Sequence, residues 1–133
     1  MAKRRITAEI YSYGIYTSWD RGSRDLPKII EITDNIPITP DVEFGCVIKI
    51  KGAKGKTIQF RIDHPPFADS KGNPAPPFEG EYFINSNDYE FFLGDTVWEP
   101  YEDKAGTWEL STFLDGKRLS YKKLYLEFNE NDI

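Results

Sequence analysis

The residue with the widest chemical repertoire in this 133-residue chain is its single histidine, His64. Histidine titrates near neutrality and can act as an acid, a base or a metal ligand. Asp63 precedes it, but adjacent residues of a strand point to opposite faces, so we do not expect a direct Asp63–His64 dyad. Alternatively, Pro65 and Pro66 end a strand here, and the segment 60–80, which holds five of the nine prolines, is a stiff connector.

The other reactive residue types do not form a catalytic or metal-binding motif. One His and one Cys cannot supply a typical zinc site, and Cys46 falls at an inward position of a strand pattern. A carboxylate-only calcium site around residues 85–90 or 99–104 is a lesser alternative, because neither segment has the spacing of a calcium loop. There is no nucleophile elbow and no phosphate-binding glycine loop. We therefore expect no catalytic set, no metal and no cofactor.

The candidate binding features are the proline-rich loop and a group of aromatic residues. About 15 residues without secondary structure is long for a compact domain, and such loops are often functional. His64 and Phe67 lie in this loop. Aromatic residues that stay exposed can stack on a carbohydrate or another small ligand, although a place in the core is the alternative. The candidates for such a platform are Trp19, Tyr89, Phe92 and Trp98.

The charge distribution limits the partners that we consider. The formal net charge is -5, and an acidic chain is a poor partner for nucleic acid, which requires clustered Lys and Arg. Residues 44–62 contain five basic residues and no acid, whereas residues 79–103 contain eight acids and no base. These segments form either two solvated edges or a dipolar surface that steers another molecule.

No segment has the pattern of a signal peptide or a membrane span. The N-terminus begins with charge, but Thr7 and Glu9 interrupt what would be the apolar region of a signal peptide. No run approaches the roughly 20 apolar residues that a spanning helix requires. We expect a soluble cytoplasmic protein that does not bind membranes and that forms one domain over residues 1–133.

Alternation of apolar and polar residues is frequent, whereas helical periodicity is scarce. "VEFGCVIKIK", residues 42–51, predicts a half-buried strand with Cys46 on its inner face. A glycine-bearing turn and "TIQFRID", residues 57–63, follow, so we predict a hairpin. Another strand, residues 6–16, becomes apolar on both faces from Tyr11 onward. We expect the segment 17–40, with its apolar run "KIIEI", to cover it.

The strongest hairpin signal is Asp115-Gly116, a two-residue turn between two alternating segments. In unbroken register this turn places Leu119 and Tyr121 on the inner face and sets Lys123 against Trp108. The inward residues that follow are instead Leu124, Leu126 and Phe128, at the opposite parity. One extra residue restores the pattern. We therefore predict a β-bulge at residues 122–123 that brings Leu124 opposite Trp108.

These elements predict an all-β fold, an immunoglobulin-like antiparallel β-sandwich of about seven strands. An early strand, a hairpin, a long excursion and a closing hairpin follow one another in the order typical of this architecture. A small barrel is the alternative. Aromatic residues make up 15% of the chain, which favours an aromatic-rich core, and a single cysteine allows no intrachain disulfide.

The ordered set of "YGIY", "DNIP", "DHPP", "WE" and "GTWELSTFLDGKRL" resembles a family of small bacterial proteins, the domain of unknown function 3859. The resemblance spans about residues 10–128 and departs from the family pattern just before Gly106, where the turn is longer. It implies a β-sandwich and no activity. The positions that it marks are Gly14, Tyr16, Ile36, Pro37, Phe44, Gly45, His64, Pro65, Trp98, Glu99, Gly106, Trp108, Gly116 and Phe128.

Three hypotheses for function follow, in order of preference. The first is a non-enzymatic binding or protein-interaction module, whose partner, another protein, uses an exposed sheet edge or the proline loop. The second is a carbohydrate or small-ligand binding domain that uses exposed aromatic residues. The third is an enzyme that uses His64 and nearby carboxylates.

Overall fold

A computed structural model describes residues 5–18, 25–68 and 71–128, and these contain nine β-strands and no helix. The strands form a four-stranded sheet, in the order β2-β1-β4-β7, and a five-stranded sheet, in the order β3-β9-β8-β5-β6. Their bounds are β1 (Thr7–Tyr16), β2 (Ile29–Ile32), β3 (Asn35–Pro37), β4 (Glu43–Lys51), β5 (Thr57–Asp63), β6 (Phe78–Phe83), β7 (Asp88–Thr96), β8 (Gly106–Leu114) and β9 (Lys117–Glu127).

The two sheets enclose one core, which confirms the predicted β-sandwich. All neighbouring strands run antiparallel except β3, which pairs in parallel with β9. The described residues form nine strands rather than about seven because β2 and β3 are additional edge strands of four and three residues. Strands this short contain too few residues for alternation to mark them.

Large side chains from both sheets meet in the core. Phe44 of β4 and Trp108 of β8 are at most 1% exposed, and their rings pack edge to face with 5.2 Å between centroids. Such a pair contributes about 1 kcal/mol beyond the area that it buries. Cys46 is fully buried beside them on β4, as its place in the strand pattern predicted.

The predicted hairpin between residues 42–51 and 57–63 is wrong, because β4 and β5 belong to different sheets. β4 lies between β1 and β7, and β5 lies between β8 and β6. The connection passes from one sheet to the other around Ala53, which is fully buried. In both arrangements alternate residues face the same core, so alternation does not distinguish a hairpin from a crossing between sheets.

A β-bulge explains why the face pattern of β1 changes at Tyr11. The register between β1 and β4 shifts between Ile10 and Ser12, which leaves Tyr11 as the extra residue, 63% exposed. Ile10 precedes the bulge and Tyr13 follows it, yet both pack on the same core. A bulge changes which positions face inward, and this is the change that the sequence shows.

A row of glycines crosses the four-stranded sheet beside this bulge. Gly14 lies opposite Gly45, which lies opposite Gly94. A Cβ at Gly94 would overlap the backbone oxygen of Phe44, so the strands approach too closely for any larger residue.

The predicted cover for β1 is confirmed for Leu26 and wrong for the run "KIIEI". On the outer side of the four-stranded sheet, Tyr16 and Phe92 meet with 4.9 Å between ring centroids, and Leu26 packs on them. The isoleucines of the run instead form β2, which pairs with the edge of β1 and remains exposed.

The closing hairpin forms at Asp115-Gly116, and Leu124 lies opposite Trp108 as predicted. The predicted position of the bulge is wrong, because the register shifts between Thr112 and Phe113. Thr112 pairs with Ser120, and their buried hydroxyl oxygens lie 2.5 Å apart. This hydrogen bond between two inward polar residues favours a bulge close to the turn rather than at residues 122–123.

Parts of the basic and acidic segments lie on neighbouring strands, where their charges meet. Basic β4 lies beside acidic β7, where Lys49 Nζ is 3.4 Å from Glu90 Oε1. Arg61 of β5 lies opposite Glu79 of β6. The opposite charges of neighbouring strands thus compensate locally. No helix in the part of the chain that the structure describes is long and apolar enough to cross a membrane.

Candidate functional site

Five rings meet where β5 and β7 end and where β6 and β8 begin, and we call them the aromatic cluster. His64 stacks on Phe67 with 4.1 Å between ring centroids. Trp98 lies 5.8 Å from Phe67 and 6.1 Å from Trp108, in both cases edge to face. The members of the cluster are His64, Phe67, Phe78, Trp98 and Trp108.

Prolines and a glycine bring these rings together. Pro65 and Pro66 cannot donate to a sheet ladder, and β5 ends just before them at Asp63. Gly106, the first residue of β8, has a φ of 132° and lies against Pro65, whose Cγ would be 2.9 Å from a Cβ at this position. Glycine therefore allows the proline loop to lie directly on the start of β8.

His64 holds the proline loop closed. Its Nδ1 lies 2.8 Å from the carbonyl oxygen of Pro65, and its Nε2 lies 2.9 Å from that of Pro76, near the other end of the loop. Each ring nitrogen faces a main-chain oxygen. A neutral imidazole donates through only one of its nitrogens, but the other still points into the loop, so neither is directed at a substrate or a metal ion. The geometry is that of a structural clasp, which speaks against His64 as a general base.

Lys104 inserts its ammonium group into the aromatic cluster. Its side chain is 1% exposed, and its Nζ lies 4.5 Å from the ring centroids of both Phe67 and Trp98. The same Nζ donates to Asp103 Oδ1 at 2.5 Å and to the carbonyl oxygen of Pro100 at 2.9 Å. A buried ammonium group requires such partners, and the rings add cation–π attraction.

The aromatic cluster is therefore saturated by groups of the chain itself. Trp108 Nε1 donates to the backbone oxygen of Lys104 at 2.9 Å, which fixes the segment before β8. Lys104 occupies the position that a cationic ligand would take between Phe67 and Trp98. We interpret the cluster as an anchor for two loops at one end of the sandwich.

The structure separates the predicted binding residues into three groups. His64, Phe67 and Trp98 come together in the aromatic cluster, where they are partly buried and contact one another. Phe92 is 1% exposed on the opposite side of the four-stranded sheet, and Tyr89 packs against the core, so these two do not join Trp98 in a platform. Trp19 lies outside the described residues.

Reactive groups do not converge in the described part of the chain, where no three His, Cys, Asp or Glu side chains are placed to hold a metal ion. Burial raises the pKa of the Cys46 thiol from 9.0 to about 12. Because the thiolate is the nucleophilic form, a thiol with this pKa is inert at neutral pH.

The feature with the clearest potential for binding is β2. All four of its residues are exposed, and Ile29, Ile30 and Ile32 are 39%, 65% and 63% accessible. β2 pairs with β1 on one side, and among the described strands its other side has no neighbour. The sequence contained the signal, the apolar run "KIIEI", but an apolar run normally indicates burial, so we expected a cover and not an exposed edge.

This architecture is an immunoglobulin-like fold. The crystal structure of an immunoglobulin-like protein from Pseudomonas aeruginosa is similar to it, with a TM-score of 0.74 and 18% sequence identity over 96% of this chain and 100% of that chain. The family model described as "Domain of unknown function (DUF3859)" matches residues 4–125, and the chain belongs to this family, as its resemblance predicted. No curated protein matches the chain in sequence.

Proposed function

We propose that this protein is a non-enzymatic protein-interaction module whose docking surface is the outer edge of β2. The observation that supports the proposal is the exposure of Ile29, Ile30 and Ile32 on an edge strand. An edge strand presents backbone donors and acceptors to solvent, and an apolar one is a template for pairing with another chain. Single exposed apolar residues are ordinary, but a cluster of them on an edge marks an interaction site.

The other edges of the two described sheets have more of the features that oppose strand addition than β2, which is itself only four residues long and has one acid, Glu31. Natural sheets protect their edges with charges, prolines and very short strands. β3 is three residues long and ends in a proline, and β6 and β7 carry acids along their length. These protecting residues are Pro37, Glu79, Glu81, Asp88, Glu90 and Asp95.

In the proposed complex, an extended segment of a partner protein extends the four-stranded sheet beyond β2. Main-chain hydrogen bonds to β2 supply part of the affinity, and apolar side chains of the partner cover the isoleucines and supply specificity. The aromatic cluster takes no direct part. It stabilises the sandwich that holds β2 in place.

Site-specific cross-linking tests this proposal. A photoreactive amino acid at Ile30, expressed in the native host, should cross-link to a partner protein. Purified Ile30→Lys/Ile32→Lys protein should lose that partner while its urea midpoint stays unchanged, because both side chains are exposed. The matched control is Phe83→Lys, which introduces a lysine at a 62% exposed apolar residue of the β6 edge.

Retention of the partner by the control and its loss from the β2 variant would support the proposal. A partner that binds the β2 double variant as tightly as the unmodified protein would overturn it. Equal loss from the β2 variant and the control would also overturn it, because the effect would then come from added charge and not from the β2 edge.

A further inference from the structure

We propose that the outer face of the five-stranded sheet is a second binding site, and that it takes a neutral oligosaccharide. A shallow groove of about 480 Å³ lies on this face over β6, β5 and β8. It is independent of the β2 edge, which belongs to the other sheet. The side chains that line the groove and carry the argument are Gln59, Arg61, Glu79, Glu81 and Phe113.

Strand register arranges these residues in two parallel rows across the sheet. Gln59 of β5 has Glu81 on one side and Phe113 on the other. The neighbouring row runs from β6 to β9 and consists of Glu79, Arg61, Ser111 and Tyr121. On β9 the first row continues with Arg118 and the second ends at Tyr121, which lies beside the groove. Each row thus combines planar polar side chains with one aromatic ring.

This combination matches the chemistry of a sugar ring, which has hydroxyl groups at its rim and apolar C–H groups on its faces. Gln, Arg and Glu side chains offer paired donors and acceptors in a plane, and an aromatic ring offers an apolar surface. Tyr121 is 39% exposed; its hydroxyl donates to Glu109 Oε1 at 2.7 Å, and the Arg118 guanidinium carbon lies 4.9 Å from its ring centroid. These contacts fix the ring on the sheet and leave one of its faces for a ligand. Ser111 is 4% exposed, so a small side chain lies between Arg61 and Tyr121.

The charges of the groove point to a neutral ligand. Arg61 Nε lies 2.9 Å from Asp63 Oδ1, and its Nη1 lies 4.0 Å from Glu79 Oε1, so its positive charge is compensated within the sheet. Asp63, Glu79 and Glu81 outnumber the two cations of these rows, Arg61 and Arg118, so the face is slightly acidic. Nucleic acids and other polyanions are repelled by such a surface, because they require clustered, uncompensated cations.

The spacing of the strands favours a chain of sugars over a single ring. Neighbouring strands lie about 4.8 Å apart, which is close to the length of one sugar unit in an extended chain. An oligosaccharide that crosses the strands would place about one unit on each strand, from the acids of β6 to Tyr121 of β9.

Calorimetric titration of the whole protein tests the proposal with cellotetraose, chitotetraose and maltotetraose as neutral probes and polygalacturonate as an anionic one. We expect at least one neutral tetrasaccharide to bind with a Kd below about 1 mM. Gln59→Ala and Tyr121→Ala should weaken it at least tenfold. Tyr11→Ala, which removes a 63% exposed ring from the other sheet, is the matched control and should bind normally.

The site would be overturned if no neutral probe bound at about 10 mM, or if none bound more tightly than polygalacturonate. It would also be overturned if Tyr11→Ala and Tyr121→Ala weakened binding equally. Ile30→Lys/Ile32→Lys should bind the sugar like the unmodified protein. Failure of the sugar site and failure of the β2 docking surface can therefore be distinguished.

Discussion

At the scale of single residues, the aromatic cluster shows what residue type can and cannot reveal. His64 was a candidate because histidine is chemically versatile, and the prolines beside it marked a structured loop. Lys104 gave no such signal, because it follows Glu102 and Asp103 in an acidic segment that reads as solvent-exposed. Its burial depends on Phe67, which is distant in sequence, and on the nearby Trp98, and the two rings come together around it only in the folded chain.

Removal of Lys104 should destabilise the fold. We expect Lys104→Ala to lower the free energy of unfolding by about 2–4 kcal/mol, because it leaves a cavity between two rings and deprives Asp103 of its partner. Lys104→Met keeps most of the packing without the charge, so it should lower the free energy of unfolding less than Lys104→Ala does. Urea unfolding followed by tryptophan fluorescence measures both, and a loss below about 0.5 kcal/mol for Lys104→Ala would show that the ammonium group is not held as described.

Cys46 should make stability depend on pH in the alkaline range. The thiol has a pKa of about 12 in the folded protein, because burial disfavours the thiolate, against an ordinary value of 9.0. The contribution of the buried, protonated thiol to the free energy of unfolding is fully present below pH 9. It is lost as pH rises towards 12, because Cys46 of the unfolded chain releases its proton at a lower pH than Cys46 of the folded protein. Between pH 8.5 and 10.5 we expect the free energy of unfolding to fall by about 2 kcal/mol from this cause.

Urea unfolding of Cys46→Ala at the same pH values is the control for this prediction. The variant should lose about 2 kcal/mol less than the unmodified protein over the interval. Burial also raises the pKa of Tyr16 to about 12, and this residue contributes similarly in both proteins. Parallel pH profiles for the two proteins would contradict the burial of Cys46.

At the scale of the elements, sequence patterns identified most strands and missed their pairing. Alternation marked β4 and β5, and the Asp-Gly turn marked the closing hairpin together with the pairing of Trp108 and Leu124. The assignment of β4 and β5 to different sheets could not be predicted, because both arrangements present the same residues to one core. The exposure of β2 was also beyond reach, since an apolar run indicates burial unless the fold leaves it at an edge.

Two glycines in strands should respond differently to the addition of one methyl group. We expect Gly94→Ala to cost about 3 kcal/mol or more, because the new Cβ would overlap the backbone oxygen of Phe44, which cannot move without breaking the sheet. Gly80→Ala should cost about 1–2 kcal/mol, because its Cβ meets the ring of Phe60 at 2.5 Å, and a side chain can shift.

A second substitution separates these two causes. When Phe60→Leu is added to Gly80→Ala, it should restore part of the free energy of unfolding that Gly80→Ala removes. When it is added to Gly94→Ala, it should restore none. Urea unfolding of the single and double variants measures both effects. Equal effects of Phe60→Leu in both backgrounds would mean that the close approach at Gly80 is not to this ring.

At the scale of the whole molecule, composition and alternation were sufficient to predict an immunoglobulin-like sandwich. They were not sufficient for its surfaces, because a surface is defined by which strands lie at the edges and which charges meet. The basic and acidic segments illustrate this point: they are separate in sequence, but parts of them lie on neighbouring strands, where their charges meet. Function in such a scaffold depends on local sites and not on the fold itself, and the β2 edge is the site for which we propose docking.

Backbone amide exchange of β2 tests this central claim most directly, since strand addition must place hydrogen bonds on its outer edge. In the complex with the partner identified by cross-linking, we expect those amides of Ile29–Ile32 that point away from β1 to exchange at least about tenfold more slowly than in the protein alone, and the amides of Phe78–Phe83 on the opposite sheet's edge to be unchanged. Unchanged exchange in Ile29–Ile32, with protection elsewhere, would contradict the claim.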